Sequence, residues 1–298
     1  MTVHAQQRHS FTCRLGRPLA YITAGSGPDL VIVNAYGISS KLWDPLIEQL
    51  ARDFRVIIWE MRGFTASEHD LGFVLKDHVA DLMEILDHAA AGPVHMLAWC
   101  SGAKVALQAY GQATDAVRSL AFVGGNFWPM TGYGAMTRRF ATNLHNLAIM
   151  VKKRPFMAGV VARMMNSKVL VLPMVAENMS LISPQYRDLV VAPFASKGSV
   201  ATYAKLVVDF FATDATAYLD AVRVPTLVIC AQADRCVDPE LSTAAAGRIA
   251  GAQEVPVPEF DHFCMIEAPE KLARIVGEFF GSLDRGVGAR QVAATGTL

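Results

Sequence analysis

The stretch Val94-His95-Met96-Leu97-Ala98-Trp99-Cys100-Ser101-Gly102-Ala103-Lys104-Val105-Ala106-Leu107 constrains the fold of this chain more than any other. Its first half is an apolar run of strand length, and from Ser101 onward the pattern is helical, with Val105 and Ala106 facing inward. A strand that turns this sharply into a helix holds the residue at the tip in a strained conformation. The side chains two residues to either side must then be small. With Cys100 at the tip those positions are Ala98 and Gly102; with Ser101 at the tip they are Trp99 and Ala103. An indole crowds such a turn, so the register makes Cys100 the candidate nucleophile. The competing reading is that Cys100 is a small buried hydrophobe, the usual role of a free cysteine.

The rest of the chain must supply a core around that turn. Its 298 residues suffice for one large domain with an inserted subdomain, or for two modest domains, and 52% of them are hydrophobic. No run approaches the roughly 20 apolar residues of a membrane span, so no membrane partner is expected. The polar segment Met1 to Ser10 lacks a signal-peptide core. The five cysteines (13, 100, 230, 236 and 264) form an odd set without zinc-ligand spacing, which predicts reduced thiols and a cytoplasmic protein. Zero formal net charge gives no overall attraction to nucleic acid.

In chain order, residues 11–24 read as two strands around a turn at Gly16 to Pro18. Asp29 to Val33 and Arg55 to Trp59 are buried strands, and a helix is predicted from Leu75 to Ala90 with Val79, Leu82, Met83 and Leu86 inside. Ser119 to Val123 is the strand after the turn at Cys100. From about Asn126 to Lys205 the strand–helix alternation stops and the pattern is helical, broken by five prolines. It resumes with Val224 to Cys230, a helix from Pro239 to Ile249, a short strand near Glu254 to Val257 and a helix from Pro269 to Phe280. The predicted organisation is α/β: a mostly parallel twisted sheet flanked by helices (1–125 and 206–283), an inserted helical segment (126–205) and a flexible tail (284–298).

The small-x-nucleophile-x-small turn resembles the nucleophile elbow of the α/β-hydrolase superfamily, and other segments agree; the resemblance implies that residues 126–205, inserted after the strand that follows the elbow, form a helical lid. Glu60-Met61-Arg62-Gly63-Phe64-Thr65-Ala66-Ser67 is similar to the Asp-x-Arg-Gly-x-Gly-x-Ser segment of that superfamily, with Arg62 read as structural. Asn34 and Ala35 stand where many members have His-Gly, a departure that touches the shape of the loop. The resemblance implies that the backbone N–H groups of Tyr36 and Ser101 form the oxyanion hole. It also implies the order nucleophile, acid, histidine. Asp234 follows a buried strand, and His262 opens a segment similar to the Gly-His-x-x-x-x-Glu-x-Pro ending of many members. Asp238, beside Pro239, suits a helix cap, and Asp261 adjoins the histidine and should point elsewhere. The predicted triad is therefore Cys100, Asp234 and His262. The thiolate would attack a carbonyl, with the imidazole moving the proton. An acyl group on cysteine is a thioester, so exchange with a thioester substrate is nearly isoenergetic.

Charge is unevenly spread. Residues 126–205 hold ten basic residues, including Arg138, Arg139, Lys152, Lys153 and Arg154, against only Glu177 and Asp188. Such a lid steers an acidic partner toward the site mouth, although a solvated basic face is the simpler reading. Eight methionines also lie there, read as lid core. With Ala98-Trp99-Cys100-Ser101-Gly102-Ala103-Lys104, Asp234 and His262, the basic lid resembles the cysteine-dependent aminoacyltransferases of nonribosomal peptide pathways, of the syringomycin and coronamic acid type. That resemblance implies transfer of an acyl or aminoacyl group between the phosphopantetheine thiols of acyl or peptidyl carrier proteins. The alternatives are a cysteine-dependent thioesterase or ester or lactone hydrolase of the dienelactone-hydrolase kind, and a binding protein that retains this scaffold. No resident cofactor or metal is expected: Gly124-Gly125 is too short for a dinucleotide fingerprint.

Overall fold

The computed structural model describes residues 5–62, 74–90, 92–132, 135–166 and 182–295, apart from the side chains of 135–139 and 286–295. Eight strands form one sheet: β1 (Gln7–Thr12), β2 (Pro18–Ala24), β3 (Asp29–Val33), β4 (Arg55–Trp59), β5 (Val94–Trp99), β6 (Val117–Val123), β7 (Thr226–Ala231) and β8 (Gln253–Val257). Their order is β1-β2-β4-β3-β5-β6-β7-β8. Only the β1–β2 and β2–β4 pairs are antiparallel.

Central strands read as continuous apolar runs because both of their faces are covered. In β3, Val31 and Val33 pack on one side beneath α2 (Leu75–Ala89) and α3 (Gly102–Gln112). Leu30 and Ile32 pack on the other side against α1 (Asp44–Leu50). β1 is an edge strand with no fully buried residue and begins four residues before Phe11, where the sequence shows no clear alternation.

The insertion predicted for 126–205 contains α4 (Ala135–Lys153), α5 (Met157–Asn166) and the start of α6 (Lys197–Ala212). The last helix crosses the expected boundary at 205, because its apolar face continues through Leu206, Val207, Phe210 and Phe211. After α7 (Pro239–Arg248), α8 runs from Pro269 to Thr295. The segment read as a flexible tail is thus helical as far as Thr295, and Asp284 is held by Arg118 and His95. Gly63 to Ser67 lies outside the described residues. Arg62 itself is buried and pairs through two guanidinium nitrogens with the carboxylate of buried Asp81 on α2, a structural role. Among the described residues, no helix is long and apolar enough to cross a membrane, and all five cysteines are unpaired.

Candidate active site

The sheet reverses its winding at β3: β4 lies on one side of it and β5 on the other. Connections from neighbouring strands diverge there and leave a crevice beyond the carboxyl ends of β3 and β5. Cys100 stands at the end of β5 and Tyr36 just past the end of β3.

Cys100 has φ +52°, the only non-glycine residue with positive φ among those described. That left-handed conformation is the strain the sequence places at position 100, and it settles the register in favour of Cys100 at the tip. Gly102 shows why the flanking position must be small. A Cβ there would lie 2.2 Å from the Val33 carbonyl oxygen and 2.5 Å from that of Asn34. The indole of Trp99 points away from the turn and donates through Nε1 to the His262 carbonyl oxygen at 2.8 Å.

Asp234 follows β7 and is almost fully buried. Its Oδ1 accepts the N–H groups of Cys236 (2.7 Å) and Val237 (2.8 Å), which leaves Oδ2 to meet His262 Nδ1 at 2.8 Å. With Nδ1 committed to Asp234, Nε2 is the ring nitrogen left for another partner. Burial alone would lower the pKa of His262. The Asp234 carboxylate outweighs it and holds the imidazolium well above its usual range. Asp238 caps α7 by accepting from the Glu240 N–H, and Asp261 accepts from the Phe263 N–H. Neither rival acid meets the histidine.

Cys100 and His262 line the same cavity of about 140 Å³, roofed by α4, α6 and the 190–194 segment. Its walls are mainly aliphatic and aromatic, with Phe140, Leu144, Val207, Phe210 and Phe211 from the lid. No Asp, Glu, Lys or Arg contributes to it among the described residues.

Residues 28–151 match the family described as alpha/beta hydrolase fold. RutD of Azorhizobium caulinodans is 26% identical over 90% of this chain and 96% of its own. The pimeloyl-[acyl-carrier protein] methyl ester esterase of Methylococcus capsulatus is 27% identical over 87% of this chain and 97% of its own. A thermophilic esterase from Thermogutta terrifontis superposes with a TM-score of 0.72 at 21% identity, covering 93% of this chain and 99% of the esterase. The chain has the α/β-hydrolase fold.

Within this α/β-hydrolase fold, the departure at Asn34 is built into the loop after β3. Asn34 Oδ1 accepts from Trp43 Nε1 and from the Ala35 N–H, each at 2.8 Å, and its Nδ2 donates to the Ile38 carbonyl at 2.7 Å. Tyr36 differs from expectation. Its N–H donates to Ser101 Oγ at 2.9 Å, so one of the two predicted oxyanion donors is occupied by the hydroxyl of the other residue. Lys152, Lys153 and Arg154 are exposed at the end of α4, away from the cavity lining; the side chains of Arg138 and Arg139 lie outside the described residues.

Two neighbours of the site escape sequence reasoning. Cys236 lines the cavity, and burial pushes its thiol up to about 12. Gly124, at φ +54°, supports the acid–histidine pair: a Cβ there would lie 3.0 Å from Asp234 Oδ2 and 3.4 Å from His262 Nδ1. The glycine is visible in the sequence; its distance from a histidine more than a hundred residues away is not.

Proposed function

We propose that the protein is a cysteine-dependent hydrolase that cleaves an ester or thioester of an apolar carboxylic acid through an S-acyl-Cys100 intermediate. The observation that carries this reading is the cavity that Cys100 and His262 both line: mainly apolar, with no Asp, Glu, Lys or Arg among the described residues, and roofed by α4 and α6. Cavities of roughly this size, about 150 Å³, stay dry when lined by apolar groups and accept a benzene-sized guest. A short or cyclic apolar acyl group fits such a site. An aminoacyl group would bring an ammonium ion into it with no carboxylate among the described lining residues to meet it. The similarity to esterases supports hydrolysis over transfer of an aminoacyl group.

In the first half-reaction the Cys100 thiolate attacks the carbonyl carbon, forming a C–S bond as the carbonyl π pair moves onto oxygen. The N–H groups of Ser101 and Tyr36 stabilise that oxyanion; the Tyr36 N–H reaches it when the Ser101 hydroxyl turns aside. Collapse restores the C=O bond and expels the alcohol or thiol, which takes its proton from His262 Nε2. In the second half-reaction His262 accepts a proton from water as the hydroxide attacks, and the Cys100 thiolate leaves. Asp234 keeps the imidazole in the required tautomer throughout.

A second reading, acyl transfer to a thiol on a carrier protein, is favoured by the cysteine nucleophile and by the lid surface. Residues 135–166 contain six basic residues and no acidic one. Lys152, Lys153 and Arg154 are exposed beside Phe156, whose side chain is 65% exposed. This face suits an acidic protein with an apolar contact residue. Product analysis separates the two readings. With a hexanoyl thioester and a free pantetheine-type thiol, the hydrolase reading predicts hexanoate with the acceptor unacylated. Quantitative appearance of the acylated acceptor would establish transfer instead.

A further inference from the structure

Lys104, one helical turn beyond Cys100 on α3, is fully buried, and the steps above do not use it. Its Nζ donates to three carbonyl oxygens: Trp128 at 2.9 Å, Phe210 at 2.7 Å and Thr213 at 2.7 Å. Three acceptors match the three protons of an ammonium group, whereas a neutral amine would turn a lone pair toward one of them. The partners have a common feature. Trp128 lies where the chain leaves the sheet for the lid, and Phe210 and Thr213 lie where it returns at the end of α6. The two crossings also touch each other, because the Ala215 N–H donates to the Phe127 carbonyl at 2.9 Å. The ammonium further sits 4.0 Å from the centre of the Phe210 ring, and Phe210 is part of the cavity wall facing Cys100. The charge is placed at the carboxyl end of α6, where unpaired helix carbonyls favour a cation. Burial pushes the Lys104 ammonium down to about 7, and Asp214, Asp209 and Cys100 around it act against that shift.

We propose that Lys104 is a positioning residue whose ammonium group clasps both hinges of the lid to the nucleophile helix, holding the Phe210 wall of the acyl pocket in register with Cys100. This rests on the reading that the apolar cavity receives the acyl group of an S-acyl-Cys100 intermediate. One buried cation thereby ties the helix that carries the nucleophile to the element that shapes the pocket.

The test compares wild type with Lys104→Met, which keeps the length of the stem and removes the charge. Hydrogen exchange at residues 126–128 and 210–215 is measured by mass spectrometry, and kcat and KM are measured for acetyl and hexanoyl thioesters. The expected result is at least tenfold faster exchange at both hinges. KM for the hexanoyl substrate should rise about tenfold, with less than threefold change in kcat for the acetyl substrate. Lys104→Gln, which retains two donors without the charge, carries the same measurements if Lys104→Met does not fold. Unchanged hinge exchange in a folded variant would overturn the proposal, as would an equal loss of kcat for both substrates. Failure of both variants to fold would overturn it too, making Lys104 a folding determinant. The functional reading is tested separately: if wild type forms no Cys100 adduct, that reading fails while the hinge exchange still decides the role of Lys104.

Discussion

At the scale of the residue, two glycines define how closely the backbone must approach the reacting groups. At Gly102 an added Cβ would meet two backbone oxygens that cannot rotate away. Gly102→Ala should therefore cost about 3 kcal/mol, the upper end for overpacking, and lower the urea midpoint with the activity. Gly124 differs, because the atoms in the way belong to the acid–histidine pair. Gly124→Ala adds about 1–2 kcal/mol of left-handed strain and shifts Asp234 and His262. The expected outcome is a fold that survives with kcat reduced at least tenfold, checked by thermal unfolding and steady-state kinetics side by side. The register of the strained turn is legible in the sequence because its steric rule is local: it concerns Ala98, Cys100 and Gly102 alone. The contact of Gly124 with Asp234 and His262 joins three loops, and no local pattern encodes it. The hydrogen bond from the Tyr36 N–H to Ser101 Oγ is equally invisible, since any non-proline residue supplies an N–H.

At the scale of the element, α2 carries a buried charged layer beneath the site. His78 lies next to the ring of Tyr36, with centroids 5.3 Å apart, and in the field of Arg62, whose partner Asp81 is one turn along the same helix. Burial first, and the Arg62 charge second, hold His78 down to about 3. Because the folded value lies below the unfolded value of about 6.5, the unfolded chain binds the extra proton between those two pH values. The stability linked to neutral His78 is present above pH 6.5 and is lost as the pH falls toward 3. At about 1.4 kcal/mol per unit, the loss from this group approaches 5 kcal/mol. His78→Leu should flatten the decline of the denaturation midpoint across that window; an unchanged decline would assign the acid sensitivity to other groups. The elements themselves are largely legible, because buried parallel strands such as β3, β4 and β5 are unbroken apolar runs. The misses fall where that signal fades. β1 is an exposed edge, and α6 continues past Lys205 because one exposed lysine does not interrupt a helix whose apolar face persists.

At the scale of the whole molecule, the fold brings a turn at residue 100 and a histidine at 262 to one cavity, with the acid at 234 bonded to the histidine, and roofs that cavity with α4 and α6 of a segment rich in basic residues. If that lid docks acidic carrier proteins, the attraction must be electrostatic and screened by salt. The charge reversal Lys152→Glu/Lys153→Glu should raise KM for a carrier-bound substrate at least tenfold at low ionic strength. It should leave a small-molecule thioester unaffected. Equal effects on both substrates, or on neither, would make the basic face a solvated surface and nothing more. The lid charge is plain in the sequence, whereas the apolar character of the pocket is not. It emerges only when Phe140 of α4 and Val207 and Phe210 of α6 come together in the wall of one cavity with Cys100. The central claim, a covalent acyl-enzyme on Cys100, is tested most directly by intact-protein mass spectrometry after millisecond mixing with a hexanoyl thioester. Wild type should gain the mass of one hexanoyl group, located at Cys100 by peptide mapping, and Cys100→Ala should gain none and turn over no substrate. Turnover by Cys100→Ala, or turnover by wild type with no adduct at Cys100, would contradict the account.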